Sequence, residues 1–298
     1  MAEKSRTLDV YSIHGHLSPG SASEALLDYD AYFRGLAMSG EGVSIPVGNE
    51  TVALVAATRR NERHAFRFVS GNADDLAEAF DPSSGTTVEV DLGRERFIVS
   101  GAWVIVDASK RVAVIERKRP GVPVYQLERF LARFGRDNGF PGLTISLNPV
   151  PSESFVREIE RFTRIREASV TIRRPNHSFT ASAREAVAQI ARESNAGSAT
   201  VQVNADRKQS LAKDEGIVAD IISFAKSAIT PIVNATVKGM RPGFGKERTV
   251  SLQKHVLKGT VDIDTNDTPL RQLDSIDGAA DTLIGEASVQ DDGTESRT

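Results

Sequence analysis

Polar and apolar residues alternate through the first third of the chain, the period-two signature of half-buried strands. Leu8, Val10 and Ser12 alternate with Asp9, Tyr11 and Ile13, which predicts a strand running into His14-Gly15-His16. The pattern then lengthens: Ala25, Leu26, Tyr29, Tyr32, Phe33 and Leu36 recur at helical spacing and predict a helix over 21–37. Strands follow over 51–58 and 63–69, joined by Arg59-Arg60-Asn61-Glu62, a link of hairpin length. Further strands are predicted over 86–91, 97–106 and 112–119, the last two joined by a turn at Asp107-Ala108-Ser109-Lys110-Arg111.

Pro120, Gly121 and Pro123 interrupt this pattern. Beyond them, strands and helices alternate. Leu127, Phe130, Leu131 and Phe134 mark one face of a helix over 125–134, followed by a strand over 143–147 and a helix over 152–162 with Ser152 at its N-cap. A strand over 167–173, a helix over 181–193, a strand over 199–204, a helix over 214–227 and strands over 232–238 and 249–256 complete the series. The expectation is an α+β chain: an antiparallel, sheet-rich N-terminal domain over 1–119 and an α/β C-terminal domain over 120–262. Residues 263–298 are acidic and lack clear periodicity, which predicts a flexible tail.

Composition narrows the function classes. With 298 residues the chain is long enough for two domains, and the absence of cysteine excludes disulfides, thiolate metal sites and a cysteine nucleophile. No apolar stretch approaches the roughly 18 residues of a membrane span, and the N-terminus lacks a signal-peptide core, so a cytoplasmic location without membrane contact is expected. The formal charge of −3 hides a segregation. Residues 101–250 hold 24 basic and 15 acidic side chains, whereas 1–100 hold 9 and 15, and 251–298 hold 4 and 10.

The basic centre is rich in arginine, which suits fork-shaped contacts to phosphate. Arg117-Lys118-Arg119 ends a predicted strand; Arg129, Arg133 and Arg136 share one helix face; Arg157, Arg161 and Arg164 repeat that spacing; Arg173-Arg174 ends another strand. Gly239-Met240-Arg241-Pro242-Gly243-Phe244-Gly245-Lys246 is no phosphate loop, because Glu247 stands where a Ser/Thr is required, but Arg241 and Lys246 make it a basic hairpin. Two arginine-striped helices predict contact with a nucleic-acid backbone, with little base readout. Neutralisation of the stripes by Glu128, Glu158 and Glu160 is the competing, purely structural reading.

Two constellations suggest other chemistry. Asp107 with Glu116 and Lys118 has the Asp…Glu-x-Lys order of Mg²⁺-dependent nucleases, in which carboxylates hold the metal. A separation of about five residues would hold the two carboxylates roughly 16 Å apart, however, which favours a turn role for Asp107. His14 and His16 have chelating spacing without a third ligand, so neither a metal nor a cofactor is expected. A third possibility is an interaction module whose arginine faces meet an acidic partner protein or the acidic tail.

Some of the motifs are family-like. The run Arg164-Ile165-Arg166-Glu167-Ala168-Ser169-Val170-Thr171-Ile172-Arg173-Arg174-Pro175-Asn176 is entered from a helix with Pro151, Ser152 and Ser154 at its start. Together with the His14-x-His16 strand and the hairpin of Val106, Asp107, Arg111, Ile115, Glu116, Arg117, Arg119, Pro120 and Gly121, it resembles bacterial and prophage phage-exclusion proteins of the RexA type. The resemblance spans about residues 5–262. It implies a two-domain homodimer that binds DNA with little sequence preference and acts in abortive infection or superinfection exclusion; the motifs identify no effector partner.

Overall fold

The computed structural model describes residues 3–17, 27–72, 78–81, 86–89, 98–173, 198–227, 232–243 and 246–292. The described residues form an α+β fold of antiparallel sheets with five helices, sheet-rich at the N-terminal end and mixed beyond it. The large sheet has eight strands: β1 (Glu3–His16), β2 (Ser44–Val47), β3 (Glu50–Arg60), β4 (Arg63–Gly71), β7 (Ser100–Asp107), β8 (Val112–Arg117), β9 (Thr144–Pro149) and β14 (Lys258–Asp264). Two short strands, β5 (Glu78–Asp81) and β6 (Thr86–Glu89), pair with each other. The order β14-β1-β8-β7-β4-β3-β2 places the alternating apolar positions of neighbouring strands on common faces.

The 14-residue β1 is long because it serves two partners along one edge. Its first half pairs with β14 and its second with β9. The exchange falls at Val10, whose N–H donates to Leu257 O (2.9 Å) and whose carbonyl accepts from Val150 N (2.9 Å).

Helices cover both faces of this sheet. On one side lie α1 (Tyr29–Ser39), capped by the Asp28 carboxylate accepting from Ala31 N, and α2 (Val124–Asp137). The apolar stripe predicted for α2 is the one it buries: Leu127, Phe130, Leu131 and Phe134 pack with Phe33, Phe66, Phe68 and Leu147. Gln126, wholly buried, donates to Glu50, as does Ser70, and these bonds hold the Glu50 carboxyl below its ordinary range.

The expected tail is the principal correction. Lys258–Asp264 is strand β14, and Pro269–Asp292 is a helix, here α5, packed on the second face of the large sheet. Leu273, Ile276, Ala280, Leu283, Ile284 and Ala287 are buried there against Leu8, Val10, Trp103, Ile105 and Val114. Their spacing follows one helix face, but four of the acidic residues and two glycines lie between them and dilute the signal. Asp274 pairs with Arg60 (2.8 Å) and Asp281 with Arg63 (3.0 Å), so these two acids answer arginines of the β3–β4 hairpin.

The smaller sheet has the order β11-β10-β12-β13, from β10 (Arg164–Arg173), β11 (Ser198–Asn204), β12 (Ile232–Met240) and β13 (Arg248–Ser251). Helices α3 (Glu153–Glu160) and α4 (Gly216–Ala225) share its core through Phe155, Ile159, Ile221 and Phe224. The chain does not divide at residue 119, because α2, β9, β14 and α5 all return to the large sheet. Ser152 precedes α3 as expected, but its hydroxyl donates to His255 O (3.0 Å) and does not cap the helix. The helix expected over 181–193 lies outside the described residues, as does the start of the one expected over 21–37.

Candidate functional site

Sheet curvature creates a cleft. β2 and β9 occupy opposite ends of the large sheet, yet both pack against α2, so the sheet curls round that helix. Between them opens a cleft of about 730 Å³ lined by residues 43–47 of the β2 segment, by α2, and by Thr144 and Ile145 of β9. Arg129, Arg133 and Arg136 all lie in its wall, as their common helix face requires.

Each arginine is oriented by a neighbour. The Arg129 guanidinium carbon lies 5.9 Å from the Tyr125 ring centroid, and Tyr125 is half exposed. Arg133 Nε reaches Asp137 Oδ2 at 2.8 Å, with both side chains more than half exposed. Arg136 donates to Leu143 O (3.0 Å), fastening α2 to the segment that enters β9. Glu128 accepts from Leu147 N (2.8 Å), so its charge is turned to the β9 edge. The cleft wall therefore combines three cations, the Glu128 and Asp137 carboxylates and apolar residues such as Val43, Ile45 and Ile145, with the Tyr125 ring against Arg129. Such a surface suits a ligand with phosphates and flat apolar rings.

The other predicted basic residues are elsewhere. The second stripe does not form, because α3 ends at Glu160: Arg161 is its C-cap and Arg164 opens β10. Arg157 pairs with Glu153 (2.7 Å), Arg161 with Glu158, and Arg164 donates to Gln209 O (3.1 Å). Arg241 pairs with Glu158 as well, and lies 5.8 Å from the Phe162 ring centroid. Arg117 and Lys118, adjacent in sequence, project to opposite faces of β8; Arg117 lies 3.5 Å from Asp9, while Lys118 is half-buried on the face that α5 covers. Arg119 and Lys246 are exposed, Arg173 ends β10, and Arg174 lies outside the described residues. The twelve described residues thus occupy several surfaces, of which the α2 cleft gathers three.

The nuclease set does not converge. Asp107 pairs with Val112 across the β7–β8 turn, so Glu116 lies four residues farther on, roughly 13 Å away at the strand rise. Asp107 accepts from Ser109 Oγ (2.7 Å) and Lys110 N (3.0 Å), the turn role expected for it. Glu116 accepts from Trp103 N (3.1 Å) and faces Arg6 at 3.6 Å, surroundings that repel a divalent cation. The alternation of Glu116 with Val112 and Val114 marks it as a half-buried acid paired with an arginine, but sequence reasoning did not single out Arg6 and Arg67 as the cations around it. The available signal was their place in buried alternations, Arg6 with Leu8 and Val10, and Arg67 with Ala65. The His14 ring instead meets Ser12 Oγ at 3.0 Å, and among the described residues no three His, Asp or Glu side chains gather to hold a metal. Among the described residues, no helix is long and apolar enough to cross a membrane.

No curated protein matches the chain. A family model described as "Domain of unknown function (DUF4747)" matches residues 101–230, a stretch that runs from β7 through α4 and includes α2 with its three arginines.

Proposed function

We propose that the protein binds nucleic acid through the phosphate backbone, using Arg129, Arg133 and Arg136 in the cleft between β2, α2 and β9. The observation that carries this reading is the gathering of those three cations in the wall of an open cleft of about 730 Å³, with the exposed Tyr125 ring against Arg129. A cleft of that size admits a strand or a looped-out nucleotide and not the full width of a duplex, so single-stranded DNA is the favoured form. A role in cytoplasmic phage exclusion, and action as a homodimer, rest on the RexA-type resemblance of the strand and hairpin motifs; sedimentation at two concentrations tests the dimer.

The decisive experiment titrates labelled single-stranded and duplex oligonucleotides of unrelated sequence while salt is raised. Affinity should fall steeply with salt, by a logarithmic slope of about 0.7 per phosphate contact on a single strand. Replacing Arg129 and Arg133 by Glu should weaken binding at least about tenfold, or roughly 1.4 kcal/mol. The paired change Arg157→Glu and Arg161→Glu should alter it less than about twofold, as exposed ion pairs contribute little. Salt-insensitive binding, or equal losses in both variants, would refute the proposal.

A further inference from the structure

Charge withdrawn from water is costly unless an opposite charge compensates it, so a half-buried surplus of one sign marks a place for a counter-ion. The large sheet carries such a surplus on the face away from the cleft, beside the start of α5. Strand register builds it. Arg67 on β4, Trp103 on β7 and Glu116 on β8 stand in one cross-strand row, and Leu8 of β1 continues it. One row farther, on the same face, come Lys118 just past β8 and Arg6 of β1, with Lys4 beyond them.

Gly101 leaves the space in this second row that a side chain would fill. A Cβ there would stand 3.1 Å from Arg67 Nη2 and 3.2 Å from Nε, so the guanidinium lies directly over the glycine. Arg67 is further fixed by the Trp103 ring, whose centroid is 6.0 Å from its guanidinium carbon, while the indole N–H donates to Pro269 O (3.2 Å). Arg6 is 13% exposed and its buried Nε has no hydrogen-bond partner, the Glu116 carboxylate standing 3.6 Å away. Among the described residues, Glu116 is the carboxylate that answers Arg6, Arg67 and Lys118 together. Burial, and the neighbouring Arg6, push the Lys118 ammonium below its ordinary range, with Glu116 opposing them and Arg67 and Lys4 adding to them. Glu116 holds Arg6 in place but leaves the cations in excess.

We infer that Arg6, Arg67 and Lys118 form an oxyanion site for one phosphate group, either inorganic phosphate or the terminal phosphate of a small molecule. The site is separate from the α2 cleft and does not rest on nucleic-acid binding there.

Thermal unfolding of the full chain tests it, with inorganic phosphate, phenyl phosphate and chloride compared at equal ionic strength. Phosphate should raise the melting temperature beyond chloride, with saturation. Lys118→Met and Arg67→Met should each weaken the apparent phosphate affinity at least tenfold, while Arg157→Gln, on α3, should leave it unchanged. If Arg67→Met fails to fold, Lys118→Met decides, since that side chain is only half-buried and its apolar stem is kept. Stabilisation by phosphate alone identifies the free ion, and equal or greater stabilisation by phenyl phosphate identifies a phosphorylated small molecule. The absence of any shift beyond chloride, or an undiminished shift in Lys118→Met, overturns the inference. So does a shift abolished by Arg157→Gln.

Discussion

Helices α2 and α3 begin from the same sequence device, arginines four and then three residues apart, and arrive at opposite outcomes. In α2 the helix continues to Asp137, so Arg129, Arg133 and Arg136 keep a common face and open onto the cleft. In α3 the helix stops at Glu160, and the later two arginines pass to the cap and to the next strand. The acids differ as well. Glu153 stands four residues before Arg157 and Glu158 three before Arg161, the favourable order for an intrahelical pair. Four residues before Arg129 stands Tyr125, and before Arg133 stands Arg129 itself. Spacing alone therefore does not make a cationic surface; helix length and the residue one turn earlier decide it.

The strongest way to break the comparison is to loosen each helix from its own sheet. Phe130 is wholly buried in α2 and meets Phe68 edge-to-face at a centroid distance of 5.1 Å. Phe130→Ala should cost about 3–5 kcal/mol in denaturant unfolding and weaken oligonucleotide binding as the cleft wall shifts. Ile159→Ala in α3, also wholly buried, should cost about 2–5 kcal/mol in the smaller core. Oligonucleotide affinity measured under conditions where that variant is folded should match the parent. Equal loss of binding in both variants would mean that the two cores act as one and that the cleft is not private to α2.

A subtler change acts on the seat of α2. Alanine is the better helix former by about 1 kcal/mol, so Gly135→Ala would be stabilising on propensity alone. The added Cβ, however, would stand 2.3 Å from Leu143 Cδ2 and 3.0 Å from Tyr32 Cε2. Overpacking of that kind costs about 1–3 kcal/mol, which outweighs the propensity gain and leaves a net loss of about 1 kcal/mol. A rise in the denaturation midpoint would show instead that the helix is free to move off β9, and the cleft would then lose its fixed width.

These particulars mark how much of the molecule its sequence carries. Strand alternation and the α2 stripe are local, so β1, β3, β4, β7, β8 and the buried face of α2 are readable directly. So is the turn role of Asp107, since a carboxylate two residues before a serine bonds within its own turn. The pairing of β1 with β9 and β14 is not, because those partners come from more than a hundred residues away and no local pattern encodes them. Distance along the chain also hides the cations that meet Glu116, since Arg6 of β1 and Arg67 of β4 stand 110 and 49 residues before it. Helix α5 was within reach but obscured, its buried positions including Ala280 and Ala287 among exposed acids.

The smallest expected effect concerns pH and again separates the two regions. His64 packs under α1 in the large sheet, 5.8 Å from the Phe66 ring, with Nδ1 buried and unpartnered. Burial first, then Arg59 of the paired strand and Arg34 of α1, push its pKa below the ordinary value of 6.5, with Asp30 of α1 opposing them. His255, beside Phe155 and Ser154 where the smaller sheet meets α3, shifts the same way through burial and Lys258, Arg241 and Lys254. A histidine with a lowered folded pKa binds fewer protons folded than unfolded. Its contribution is therefore complete above the unfolded value of about 6.5 and is lost as pH falls below it, down to the folded value. Denaturant unfolding at pH 8 and pH 5.5 should register that loss in the parent. His64→Leu suits the apolar surroundings and should remove part of it, while His64→Leu with His255→Leu removes the rest. Were the single change to abolish the whole dependence, the histidine of the smaller sheet would be silent, and protonation would act on the body that holds the cleft.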